Sequence, residues 1–236
     1  MSASKNILVI GGTSGYGAGV VKVFRSAGHN VLSVGRSSDK PLDVTKKDSV
    51  ARWFKENIKE LDVVIYSAGI AIGKADVVDK DINDMDMVFQ VNTIGLLNVL
   101  KQSYNYLKKS GGYFFHIGSI AHELCYVGGA DYCASKSASN TIMKTIKKEW
   151  LGTGIHTTSL EVGLGQTNFQ KNRYSGDMNK ASNHTNGVRQ IIPEDLGKVI
   201  EYLSSMPDYL NMDEIELKPL DQASHGISIL NTNKQF

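Results

Sequence analysis

Along the chain, short apolar runs alternate with longer stretches whose apolar residues recur at helical spacing. The first run, "ILVI" at 7–10, breaks into "GGTSGYG"; Val20, Val21, Val23 and Phe24 then share a helical stripe, and "VLSVG" follows as a second strand. The pattern continues with a helix over "VTKKDSVARWFKENIKEL", a strand over "DVVIYSAG" and a long helix over "DMDMVFQVNTIGLLNVLKQSYNYLKKS". A strand over "GGYFFHIGS", a helix over "DYCASKSASNTIMKTIKKEWLG" and a strand over "IHTTSLEVG" come next. Last is a helix over "PEDLGKVIEYLSS", with Pro193 in its first turn, and strand character returns at "IEL". Strands alternating with helices throughout predict an α/β fold, a doubly wound parallel sheet with helices on both faces.

Composition narrows this to one unit. The 236 residues, 41% hydrophobic, suffice for one well-packed core and are marginal for two, so a single domain over 1–236 is expected. Within it, the polar, turn-rich "QKNRYSGDMNKASNHTNG" marks a flexible substrate flap at about 168–190, and the tail at about 222–236 has no assigned place. Lys and Arg number 26 against 24 Asp and Glu, a net charge of +2 that offers no face for nucleic acid. No apolar stretch approaches the roughly 20 residues that cross a bilayer, and no secretion signal opens the chain, so no membrane role and a cytoplasmic location are expected. Two cysteines, Cys125 and Cys133, make no disulfide framework, and no Cys or His pair stands at metal-ligand spacing; both thiols are expected free and no metal is expected.

Candidate chemistry begins at the glycines. A strand, glycine turn, helix and strand within about 30 residues make one βαβ unit, a Rossmann-like element. Its turn faces the helix N-terminus, where unpaired N–H groups and the positive dipole end favour phosphate. Gly11, Gly15 and Gly17 let the backbone turn tightly, approach a pyrophosphate and pack the helix on the sheet, with Thr13, Ser14 and Tyr16 between them; a bound dinucleotide is expected. The spacing is G-x-x-x-G-x-G rather than G-x-G-x-x-G.

With the motifs that follow in order, the sequence resembles the classical short-chain dehydrogenase/reductase family. These are "GGTSGYG", "YSAG" (66–69), "VNTIG" with Asn92, "GSIAH" with Ser119, "YCASK" (132–136) and "EVGLGQT" (161–167), and the resemblance runs from about residue 5 to residue 204. It implies an NAD(P)-dependent oxidoreductase that passes hydride between a nicotinamide and the carbonyl or secondary alcohol of a small molecule. Tyr132 and Lys136 lie one helical turn apart and act as a pair: the ammonium is expected to favour the phenolate and bring Tyr132 into working range as general acid/base. Ser119, at a strand end, holds the same substrate oxygen, and the resemblance assigns Asn92 to a water-linked proton path ending at Lys136. It also implies cofactor contacts from Ala68 and Gly69, from Asp43 and Val44, from Lys136, and from Gly163 and Thr167.

Cofactor choice is set after the second strand. An acid there would bond the ribose 2′-hydroxyl, but the chain reads Gly35, Arg36, Ser37, Ser38, an arginine and two hydroxyls that suit a 2′-phosphate; this favours NADP over NAD. Arg36 and Asp43 stand too close for the helix the family usually places between them, so the adenine side should be open. Tyr66 and Ser67 replace two usual asparagines, and Val162 replaces a proline, which suggests a looser turn before Gly163.

On the substrate side, "IAHELCYVGGAD" and the flap are expected to line the pocket. His122, Glu123, Cys125 and Tyr126 suggest a polar substrate, and Glu123 an amine-bearing one. Cys133 should point away from the site, and His116 should be a buried, hydrogen-bonded histidine. The helix around Asn92 is apolar nearly all round and must be covered on two sides; in the family it resembles, this helix and the Tyr132 helix pair with their copies in another subunit, which implies a homodimer or homotetramer. Two other readings stand beside this one: a nicotinamide redox sensor without turnover, which would be expected to lose the Tyr or the Lys, and a sugar epimerase or dehydratase of the same superfamily, whose chains are longer.

Overall fold

A computed structural model describes residues 4–183 and 189–223. The flap residues 184–188 and the tail from 224 onward lie outside the described residues.

Six strands form one parallel sheet: β1 (Asn6–Ile10), β2 (Asn30–Val34), β3 (Val63–Tyr66), β4 (Tyr113–Ile117), β5 (His156–Val162) and β6 (Glu214–Leu217), in the order β2-β1-β3-β4-β5-β6. The order reverses between β1 and β3, whose ends frame the crevice where doubly wound sheets bind ligands. The helices are α1 (Gly15–Ser26), α2 (Lys47–Asn57), α3 (Ile82–Phe89), α4 (Gly95–Ser110), α5 (Ala130–Glu149), α6 (Phe169–Arg173), α7 (Met178–Asn183) and α8 (Pro193–Leu203). The expected alternation is present throughout, and no helix stands between Arg36 and Asp43.

The period of two in β1 divides the core. Leu8 and Ile10 face a layer with Val50, Phe54, Leu96 and Phe114, whereas Ile7 and Val9 face one with Val20, Phe24, Leu196 and Ile200. Every residue of β3 and β5 is buried, as strands covered on both faces require. In β5 that burial includes polar groups, some tied into a chain: His116 Nδ1 of β4 lies 2.9 Å from Ser159 Oγ, and Ser159 Oγ donates to Glu161 Oε1 at 2.5 Å. Among the described residues no helix is long and apolar enough to cross a membrane.

The long helix expected around Asn92 is interrupted. Gln90–Ile94 form a π turn between α3 and α4, which leaves helical carbonyls without their usual partners. Tyr66, fully buried at the end of β3, donates its phenolic O–H to Val91 O at 2.6 Å. The departure from the family pattern at this position thus supplies a hydrogen bond that the π turn needs. In the expected flap, α6 and α7 stand where turns were expected, and Arg173 and Ala181 are buried.

Candidate functional site

The glycine turn is shaped by contacts that exclude side chains. The N–H groups of Gly11 and Gly12 both donate to Val34 O, at 2.7 and 3.2 Å, which ties the turn to β2. Gly11 has φ of +81°, and a Cβ there would stand 2.7 Å from the backbone nitrogen of Ala68. A Cβ on Gly17 would overlap the carbonyl oxygen of Gly11. The turn therefore folds tightly over the start of α1. Ser14 makes no side-chain cap, and the first turn of α1 holds no acid, so its free N–H groups and dipole end remain available for an anion.

One cleft runs from this turn in both directions. It gathers Gly11, Thr13, Ser14, Gly15, Tyr16, Arg36, Asp43, Val44, Ala68, Gly69, Ser119, Tyr132, Lys136, Gly163 and Thr167, all singled out from sequence. Gly17, Ser37 and Asn92 do not line it. Gly17 is buried beneath the turn. Ser37 is exposed because Ser38 Oγ closes the 35–40 turn, accepting from Gly35 N at 3.2 Å and bonding Gly35 O and Lys40 O at 2.9 and 3.0 Å. Those bonds also occupy the Ser38 hydroxyl expected to suit a phosphate, so Arg36 is the feature of this stretch that faces the cleft.

Asp43 accepts from Thr45 N and Thr45 Oγ1 at 3.0 and 2.8 Å. Burial pushes its pKa up, but these donors and the nearby Lys46 and Arg36 outweigh it and hold the carboxyl below its ordinary value. The turn after β5 is tied rather than loose. Gly163 N donates to Leu217 O and Leu164 N to Gln222 Oε1, both at 2.8 Å, which replaces the stiffness a proline would have given.

Near the reacting end, α5 presents Tyr132 and Lys136 on one face, both buried. Lys136 Nζ donates to Ile117 O at 3.1 Å and lies 5.9 Å from the Tyr132 ring centre. Burial lowers the Lys136 pKa to about 8, with Glu161 opposing the shift. Burial raises the Tyr132 pKa, and the groups that pull it back are the Ser119 hydroxyl and the Arg173 guanidinium. The reason is geometric: the ammonium is turned to the end of β4, while the guanidinium packs on the phenol ring.

Ser119 begins a short 3-10 turn, where its Oγ accepts from Ala121 N at 3.2 Å and its N–H donates to Glu161 Oε2 at 2.7 Å. Asn92 sits within the π turn, almost fully buried. Its Oδ1 accepts from Ile70 N at 2.8 Å, and its Nδ2 donates to Ile70 O and Ser135 Oγ at 2.9 and 3.0 Å. Its side chain thus joins the loop after Gly69 to α5.

All four of the residues expected to make the pocket polar lie outside the cleft. His122 is half-buried against Glu161 with its Nδ1 2.9 Å from Ser119 O, Glu123 and Cys125 are exposed, and Tyr126 packs its ring on Arg173. The amine-binding role suggested for Glu123 is therefore withdrawn. Cys133 is buried, and burial raises its thiol pKa. The cleft instead receives Phe169, Gln170, Asn172 and Arg173 from α6. Two important residues were missed from sequence. Glu161, fully buried, carried a signal: it is an acid inside a strand that the fold must cover on both faces. Arg173 carried none, being one cation in a polar stretch.

The sequence model of the family described as "short chain dehydrogenase" matches residues 41–178. Over 96% of this chain and 98% of the relative, the sequence is 25% identical to a "Serine 3-dehydrogenase" of Agrobacterium fabrum. It is also 25% identical to the "NADP-dependent 3-hydroxy acid dehydrogenase YdfG" of Escherichia coli strain K12, over 94% of this chain and 98% of that protein. The fold superposes on the closed form of a serine dehydrogenase complexed with NADP+, with a TM-score of 0.89 and 25% identity, covering 98% of this chain and 100% of that one.

Proposed function

The chain belongs to the short chain dehydrogenase family, and on that premise we propose that it is an NADP-dependent oxidoreductase interconverting an alcohol and a carbonyl on a small polar molecule, with Tyr132 as general acid/base. The observation that carries this reading is that the glycine turn, Arg36, Ser119, Tyr132 and Lys136 open into one cleft.

The residues fit NADP: side chains are excluded where a pyrophosphate would lie, the α1 N-terminus has free donors, and Arg36 offers a cation where the adenine ribose would sit. The 11–15 turn would hold the pyrophosphate, Arg36 the 2′-phosphate, Ala68 and Gly69 the adenosine side, and Thr167 the carboxamide. When bound, the nicotinamide supplies hydride chemistry, taking a hydride from the carbinol carbon or returning one to the carbonyl carbon. Tyr132 gives its proton to the substrate oxygen in reduction and takes it back in oxidation, and Ser119 Oγ donates a hydrogen bond to the same oxygen. Because burial favours the neutral phenol, Tyr132 is ready to act as the acid at neutral pH, and alcohol oxidation should speed up toward alkaline pH. NAD is the second choice of cofactor. The substrate reading draws on relatives named for serine and for 3-hydroxy acids.

Met87, Ile94 and Leu97 are 46, 40 and 43% exposed along α3, the π turn and α4, an apolar stripe that a second copy of the chain would cover. Retention of both Tyr132 and Lys136 disfavours a redox sensor without turnover.

The test is Tyr132→Phe, followed by NADPH fluorescence titration and by turnover of a panel of small carbonyl compounds. NADPH affinity should hold while kcat falls by about 10²–10⁴-fold. A variant that keeps wild-type turnover would overturn the assignment of the acid/base.

A further inference from the structure

Arginine cannot shed its charge on burial, so a buried guanidinium needs an anion or a full set of acceptors. Arg173 closes α6 at only 3% exposure. Its guanidinium carbon lies 5.1 Å from the ring centre of Tyr132, 5.2 Å from that of Tyr126 and 5.7 Å from that of Phe169. Nη2 donates to the phenol oxygen of Tyr126, whereas Nε is buried and has no hydrogen-bond partner among the described residues. No carboxylate among the described residues pairs with it. Lys80 shows the contrast, since its buried side chain is paired with the buried Asp131.

Ring faces and one phenol cannot satisfy a planar fork of five N–H donors, and this fork matches a carboxylate in two parallel hydrogen bonds. Arg173 also lines the cleft beside the phenol that handles the reacting oxygen. We propose that Arg173 is a carboxylate-binding residue of the substrate site, so that the substrate is a short hydroxy acid, or its oxo acid, with the carboxylate one or two carbons from the reacting carbon. The proposal rests on the dehydrogenase reading above and deepens it by naming the charged group that the substrate carries.

Contact between the guanidinium and the Tyr132 ring sets the length: a substrate whose oxygen meets Tyr132 has its acid group within a few bonds of that oxygen. The three aromatic faces around Arg173 keep water away and strengthen the pairing. A neutral ester or amide of the same skeleton leaves the guanidinium as it stands, unpaired at Nε.

The experiment compares 3-hydroxybutanoate with its methyl ester as substrates for the NADP+-loaded protein, in wild type and in Arg173→Met. The expected wild-type preference in kcat/KM for the acid over the ester is about 100-fold, expressed mainly in KM, and the variant should bring that ratio near one. A purely structural Arg173 would lower both rates and leave the ratio standing, which would overturn the proposal. Two measurements on the wild type remove any dependence on the variant's folding. Propanoate should compete with the ester while propanamide does not, and the acid but not the ester should raise the melting temperature of the NADP+ complex. Equal behaviour of acid and ester in these two assays also overturns the proposal. Melting detects binding without turnover, so the two readings fail separately: acid-selective stabilisation without turnover keeps Arg173 and sinks the dehydrogenase assignment, and turnover without acid selectivity does the reverse.

Discussion

The two ends of the cleft are built differently. At the glycine turn, the shape comes from backbone: Gly11 and Gly12 bond Val34 O, Gly17 packs on Gly11, and the residues involved lie within one βαβ unit. At the substrate end, the shape comes from side chains brought from Ser119, from Tyr126 and Tyr132, and from Phe169 and Arg173, segments separated by up to about 50 residues in sequence. A backbone-built site tolerates little change and declares itself through glycine. A side-chain-built site can be refitted one residue at a time, which is why members of one fold family share a cofactor turn and differ in substrate.

The sharpest way to break this contrast is Gly17→Ala. The added carbon overlaps Gly11 O, so the turn must open; stability should fall by on the order of 3 kcal/mol and NADPH binding by more than about 30-fold, as read by urea denaturation and fluorescence titration. Unchanged binding would mean that the turn is not backbone-limited.

Lys136, where the two ends meet, tests how far burial governs the site. Its folded pKa of about 8 lies below its ordinary value, so the folded state carries a charge penalty that is full below pH 8 and fades as pH rises toward the unfolded value. Relative to Lys136→Met, wild-type stability should therefore rise between about pH 8 and pH 10, by up to roughly 3 kcal/mol. Urea denaturation of both proteins at pH 7 and pH 9.5 reads the difference, and a constant gap would refute the shift.

The smallest effect belongs to Arg36, exposed at the open adenine end. Arg36→Ala should weaken NADPH about 10-fold and reduce the NADPH-over-NADH preference by the same factor, more so at low salt. An unchanged preference would leave the 2′-phosphate without its proposed partner.

Much of the fold was legible because local rules set it. The buried apolar runs of β1 and β3 and the helical stripe of α1 each follow from spacing along a few residues. The spacing of Tyr132 and Lys136 likewise placed both on one face of α5. The π turn was not legible, because its carbonyl at Val91 is satisfied by Tyr66, 25 residues earlier. The Glu123 expectation failed because "polar residue near the site" says nothing of which way a side chain turns, and the chain turns Glu123 to solvent. Helical spacing likewise placed Lys136 near the phenol but did not reveal that its ammonium bonds Ile117 O.

By itself, the sequence determined the alternation of strands and helices, the glycine turn that a dinucleotide requires, and the order of the motifs, since each rests on backbone conformation and near-neighbour periodicity. Only the tertiary structure decided which charges are buried and what faces them. It put Glu161 under Ser119, turned Lys136 to the end of β4, and set Arg173 among three rings beside Tyr132. Burial and pairing are properties of the whole packed chain, and for that reason no local pattern of residues can announce them.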